Sequence, residues 1–152
     1  MTDVDEAAAQ IRRSARATVT APGRLPAEYS ASEGFPGHVG VVMTGHDGAD
    51  GPKAFYIHIE AKPDRVDEVH QMLQDILACV QDEPATGPWY GVRYSETVFA
   101  IFEAFPDIAG RQAHVDGGGG DIFRDLERMN DLLVQPAHVA KLDILLTKKV
   151  FA

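Results

Sequence analysis

The chain has one cysteine, Cys79, one tryptophan, Trp89, and no apolar run near the ~20 residues of a membrane span. A lone cysteine closes no disulfide within the chain, which suits a reducing compartment. The opening MTDVDEAAAQ is acidic and lacks the charged-then-apolar order of a secretory leader. A cytoplasmic protein with no membrane partner is therefore expected. Basic residues are scarce as well. Fourteen Lys and Arg stand against 23 Asp and Glu, a net charge of −9, and the longest basic stretches are the pairs Arg12-Arg13 and Lys148-Lys149. Neither the charge nor its distribution suits a nucleic-acid surface. Nucleotide signatures are missing too: the glycine run Gly117–Gly120 is followed by Asp121 and has no phosphate-loop lysine. His38 and His46 lie in glycine-rich stretches, Asp47 beside the second, but no His-x-x-x-His spacing supports a metal site.

What is present divides the chain in two. Residues 1–53 hold VTAPGRLPAEYSASEGFPG and GHDGADGPK, a composition that favours loop over core. Within this extension, 4–16 has acids first and arginines last, the order that complements a helix dipole, and HVGVVMT (38–44) reads as a short strand. The extension is expected to be dispensable for the fold of 54–152 and to wrap the partner subunit, with HVGVVMT as an added edge strand. From Ala54 onward the patterns sharpen. AFYIHIEAK alternates with period two, a strand. Val66, Val69, Leu73, Ile76, Leu77 and Val80 form one helical stripe, with Asp64 placed to cap it. WYGVRYSE and TVFAIFEAF read as an antiparallel hairpin, 107–116 as a short helix, 121–134 as a second helical stretch, and VAKLDILLTKKVF as a last strand.

Strand, helix, two strands, helix and strand predict an α+β fold over 54–152: a ferredoxin-like sandwich with an antiparallel sheet, helices on one face. The other face would expose Tyr, Phe, Val and Leu, and face-to-face pairing of two copies covers it. A homodimer is expected.

The stretch YGVRYSETVFAIFEAFPDIAGRQAH and the closing PAHVAKLDILLTK resemble the antibiotic-biosynthesis-monooxygenase family. The resembling pattern is Phe102-Glu103-Ala104-Phe105, then Asp107, Ala109 and Ala113-His114, with the Pro-x-x-Val-x-x-Leu-Asp-Ile-Leu strand after it. It covers roughly 54–150 and not 1–53. The resemblance implies a dimeric α+β barrel, and an oxygenase that uses no cofactor on quinols or aromatic polyketides. Other members degrade haem, with an Asn, a Trp and a His around the haem; Trp89 and Asn130 fall in a strand and the last helix, where that branch does not need them. After the histidine, members commonly continue with a Ser-Pro-type segment, where this chain has Asp116 and four glycines.

The chemistry expected falls on His114 and His58. A neutral imidazole takes a proton from a phenol or hydroquinol near neutral pH, and the resulting anion reacts with O2 without flavin or metal. Alternatively His114 only complements the end of its helix, worth ~0.3–1 kcal/mol. Tyr56, His58 and Glu60 share a strand face. Turned to the barrel interior with Trp89, Arg93 or Tyr94, they would line a site for a planar aromatic substrate; alternatively they satisfy one another at the dimer interface. Glu103 is expected to be a structural acceptor for backbone N–H groups or for Arg111. The glycine run is expected to break the helix, as a mobile gate or as a plain joint. Two functions stand: a cofactor-independent monooxygenase, or a non-catalytic dimeric barrel that binds a small molecule or has a structural role.

Overall fold

A computed structural model describes residues 40–148; the expected helix over 4–16 and His38 lie outside the described residues. Strand β1 is Val41–Thr44 and β2 is Lys53–Glu60. Phe55, Ile57 and Ile59 of β2 are buried, whereas Tyr56 is exposed and His58 and Glu60 half-buried, as the alternation predicts. Helix α1, Val66–Val80, buries Val69, Met72, Leu73, Ile76 and Val80. Asp64 does not cap it. Arg65 occupies the N-cap without a side-chain bond, leaving Asp67 and Glu68 to face the first-turn dipole.

Strands β3, Trp89–Arg93, and β4, Val98–Phe105, form the expected hairpin, closed by the Tyr94 N–H donating to the Val98 carbonyl at 2.8 Å. Asp107 caps α2, Ile108–Val115, its Oδ1 accepting from the Gly110 N–H at 2.7 Å. The glycines do not merely end that helix; they begin the next. Helix α3 is Gly118–Arg124 and α4 is Leu126–Leu132, so the stretch expected as one helix is two, separated at Asp125, whose side chain caps the second.

Strand β5, Ala137–Asp143, starts earlier than the alternation suggested and stops sooner. Leu145 and Leu146, expected to continue it, are 85% and 93% exposed.

The sheet order is β1-β5-β2-β4-β3. Its last four strands are antiparallel neighbours in the ferredoxin-like order, and α1 to α4 cover one face. The sheet is open: the single chain closes no barrel. Strand β1 is an addition, pairing in parallel with β5 of its own chain (Val41 opposite Ala137, Thr44 opposite Ala140). Gly45 then turns the chain with φ +91°, and a Cβ there would lie 2.6 Å from the Lys141 carbonyl oxygen, so only glycine allows β1 to lie against β5 and turn away.

Candidate functional site

Cross-strand register decides which side chains share a face. Trp89 lies opposite Glu103, and Glu103 opposite Phe55, on the helix-covered face; Tyr90 lies opposite Phe102, and Phe102 opposite Tyr56, on the open face. The expected aromatic lining is therefore divided. Tyr56 and His58 are on the open face. Trp89 and Arg93 are on the other, where Trp89 packs against the core and the Arg93 guanidinium sits 4.9 Å from the centroid of the Phe99 ring. Tyr94 follows β3 in the turn and is 83% exposed. The open-face neighbours of Tyr56 are instead Phe102 and Tyr90. Counting the alternation through the hairpin, one residue out of phase from Trp89, would have found them.

The cavity is not on that face. It lies between sheet and helices, has a volume of about 450 Å3, and is walled by Phe55, Ile57, Ile101 and Val139 from the sheet and Phe123 from α3. Two titratable side chains line it, His114 and Arg124. Arg124 also donates to the Val115 carbonyl and pairs with Asp121.

His114 sits on the last turn of α2 with its side chain turned inward, only 7% exposed. Its Nδ1 is 2.7 Å from Glu83 Oε2, in the segment after α1, and its Nε2 is 2.9 Å from Glu103 Oε1 on β4. The first contact is a hydrogen bond. The second is close enough for an ion pair but lacks a hydrogen bond's alignment, so among the described residues neither Glu103 oxygen receives a hydrogen bond, although Glu103 is 1% exposed. Attraction between charges needs proximity rather than alignment, and burial strengthens it. Burial by itself depresses the imidazole pKa. Glu103 and then Glu83 outweigh it, raising the pKa above the ordinary histidine value. The carboxylates thus shift His114 toward its cationic form and do not leave it an isolated base. Nor is it a bare helix-end charge. The rings of Phe105 and Phe55, with centroids 5.1 and 6.4 Å from that of His114, complete its surroundings.

The glycines after His114 are there for close approach. None of the four has a positive φ. A Cβ on Gly117 would lie 2.8 Å from Glu83 Oε1, one on Gly118 would lie 3.1 Å from Cys79 Sγ, and one on Gly120 would collide with the Val115 carbonyl. The run lets α3 pack directly against α1 and the histidine–carboxylate cluster.

Arg111 does not reach Glu103. It is buried, donates to the Ala54 and Leu142 carbonyls at 3.2 and 3.3 Å, and pairs with Asp47 at 2.9 Å. Asp47 is shared with Lys141, and Asp50 accepts from the Ile108 N–H, so the β1–β2 loop is tied to α2 and β5. No group of three or more His, Cys, Asp or Glu side chains is placed to hold a metal ion, and no helix is long and apolar enough to cross a membrane, among the described residues.

This geometry, an open ferredoxin-like sheet with helices on one face and a cavity between them, defines a ferredoxin-like α+β domain. No family model and no curated protein matches the chain. Solved structures do. A protein of unknown function from Nitrosomonas europaea is 28% identical with a TM-score of 0.61, over 71% of this chain and 100% of that one. A candidate antibiotic biosynthesis monooxygenase from Caulobacter crescentus is 19% identical with a TM-score of 0.54, over 63% of this chain and 92% of its own. Another from Nitrosomonas europaea is 15% identical with a TM-score of 0.56, over 64% and 93%. The fold is that of an antibiotic-biosynthesis-monooxygenase-like domain.

Proposed function

We propose that the protein is a cofactor-independent monooxygenase of a quinol or polyphenolic substrate bound between sheet and helices. One observation carries the reading: an apolar cavity of about 450 Å3 has at its wall a buried imidazole, His114, which two carboxylates outside the lining contact from behind. Small-molecule sites commonly measure roughly 300–1,000 Å3, and Phe, Ile and Val walls suit an aromatic ring system.

The reaction asks the protein to bind, orient and remove a proton. The ionised substrate has carbanion character at a ring carbon. It passes one electron to O2, the radical pair closes a C–O bond, and the hydroperoxide loses water to leave a carbonyl. For an activated methylene the balance is CH2 + O2 → C=O + H2O, with one oxygen atom in the product and one in water. His114 is the proton carrier. With two carboxylates to one imidazolium, the cluster has room for a further proton: His114 passes its own to a carboxylate and receives the substrate's.

Oxygen uptake by metal-free protein with a panel of hydroquinones and anthrones tests this, with one O2 consumed per carbonyl formed. Panel compounds that bind without oxygen consumption would instead support a non-catalytic small-molecule carrier. That second reading is favoured by one observation, that both ring nitrogens of His114 are already held.

A homodimer in the cytoplasm is part of the proposal. The support is the open sheet face, with Tyr56, Tyr90, Val92 and Leu142 at 42%, 59%, 47% and 37% exposure, a surface that a second copy of the same sheet would cover.

A further inference from the structure

The chain carries a net charge of −9, yet basic side chains dominate the polar lining of its cavities. His114 and Arg124 line the large one. Beside it lies a second pocket of about 50 Å3, which shares Met43, Phe55 and Val115 as walls and is lined also by Arg111, Lys141 and Asp47. That volume is well below the ~150 Å3 that holds a benzene ring, so the pocket suits a small polar group. We propose that the ligand is an aromatic acid, whose rings fill the large cavity and whose carboxylate enters the small pocket beside Arg111 and Lys141. The proposal rests on the reading that a small molecule binds between sheet and helices, and it narrows the substrate there to a quinol or polyphenol bearing a carboxylate.

The charges of the small pocket are unbalanced. Two cations share one carboxylate: Asp47 Oδ1 is 2.9 Å from Arg111 Nη2 and 3.1 Å from Lys141 Nζ. Among the described residues no other acid pairs with either cation, so a ligand carboxylate completes a neutral cluster of four charges. Asp47 shows what the two cations favour. Hydrogen bonds from Lys141 and then Arg111 hold its carboxyl below the usual carboxylate range. Donors remain as well: of its three N–H groups, Lys141 gives one to Asp47 among the described residues, and its side chain is 24% exposed. Arg111 is fixed in place. The Ala54 and Leu142 carbonyls hold its guanidinium, which sits 5.3 Å from the centroid of the Phe55 ring, a wall common to both spaces. A buried cation attracts an anion more strongly than an exposed one. Arg124 is the weaker anchor, being half-exposed and paired with Asp121, which no other cation shares.

Calorimetry on the full chain with 2-naphthoate and its neutral isostere 2-naphthamide tests the proposal. The wild type is expected to bind naphthoate more than ~10-fold tighter, the worth of one hydrogen bond to a charged group. Lys141→Gln should erase most of that preference and leave the affinity for naphthamide unchanged. Asp47→Asn removes the competing negative charge and keeps an acceptor for both cations. It should strengthen naphthoate binding by about 3–10-fold, a gain that a purely structural ion pair would not give. Equal affinity of the wild type for both compounds would overturn the acid and leave the cavity reading standing. Binding of neither would overturn both. A preference lost in Arg124→Gln and kept in Lys141→Gln would put the carboxylate at the other cation, and the proposal would fail.

Discussion

The two faces of the sheet are built from alternate residues of the same strands, yet do opposite things with charge and aromatic rings. Beneath the helices, Phe55, Ile57 and Ile101 wall a cavity, and an imidazole is raised in pKa by carboxylates. On the open face, Tyr56, Phe102 and Tyr90 lie in a row, and His138 is lowered in pKa, by burial and then by His58. Helix cover separates the two outcomes. α2 and the segment after α1 bring His114 and Glu83 over Glu103, so the cost of burying charge is offset by opposite charge. For His138, burial and then His58 favour the neutral form.

The largest expected effect comes from removing the charge at the centre of the covered face. His114→Ala is expected to lower turnover by ~10²–10⁴-fold if the proton-transfer reading holds. It should also destabilise the fold by about 3–5 kcal/mol in chemical denaturation, because Glu103 is left buried without its partner. A helix-end charge alone would predict no more than ~1 kcal/mol. A small stability loss with full activity would dissolve the distinction between the faces.

The open face responds to a different change. Tyr56→Asp with Tyr90→Asp is expected to weaken self-association by at least ~2 kcal/mol, about 30-fold, in sedimentation equilibrium, and to leave ligand binding in the cavity intact. A wild type that is monomeric at micromolar concentration would remove the dimer. Loss of cavity binding in the double variant would join two faces separated here.

Two neighbouring glycines sharpen the account of the covered face. Gly120→Ala drives a Cβ into the Val115 carbonyl and is expected to cost ~1–3 kcal/mol. A Cβ on Gly119 meets His114 Cε1 at 3.5 Å, an ordinary contact, so Gly119→Ala should be neutral, or stabilising by up to ~1 kcal/mol through helix propensity, while narrowing the cavity. Equal losses for both would mean the run serves flexibility rather than close packing.

The smallest effect is the most direct comparison. Histidine NMR in chelated buffer should find His114 titrating above 6.5 and His138 below it. The linkage signs follow. The stability from His114 is fully present below the unfolded value and is lost as pH rises through its raised folded value. Neutral His138 supports the fold above the unfolded value, and that support is lost as pH falls through its depressed folded value. Unfolding midpoints of His114→Gln and His138→Gln against pH should diverge from wild type on opposite sides.

Period and spacing in the sequence determined the element order, the helical stripe of α1, the hairpin and the face that each residue of β2 presents. These are local properties: a two-residue or 3.6-residue repeat declares its buried side without knowing what covers it. Tertiary structure decided the rest. Trp89 and Arg93 fell on the helix side because a strand's phase across a hairpin is set by register, and one residue's slip reverses both faces. His114 is shifted toward its cationic form because Glu83 and Glu103 reach it across 31 and 11 positions of sequence, a charge environment that no local pattern records. The glycines, which composition reads as looseness, are required where α3 presses on Glu83, Cys79 and Val115, and only the packed chain creates that pressure.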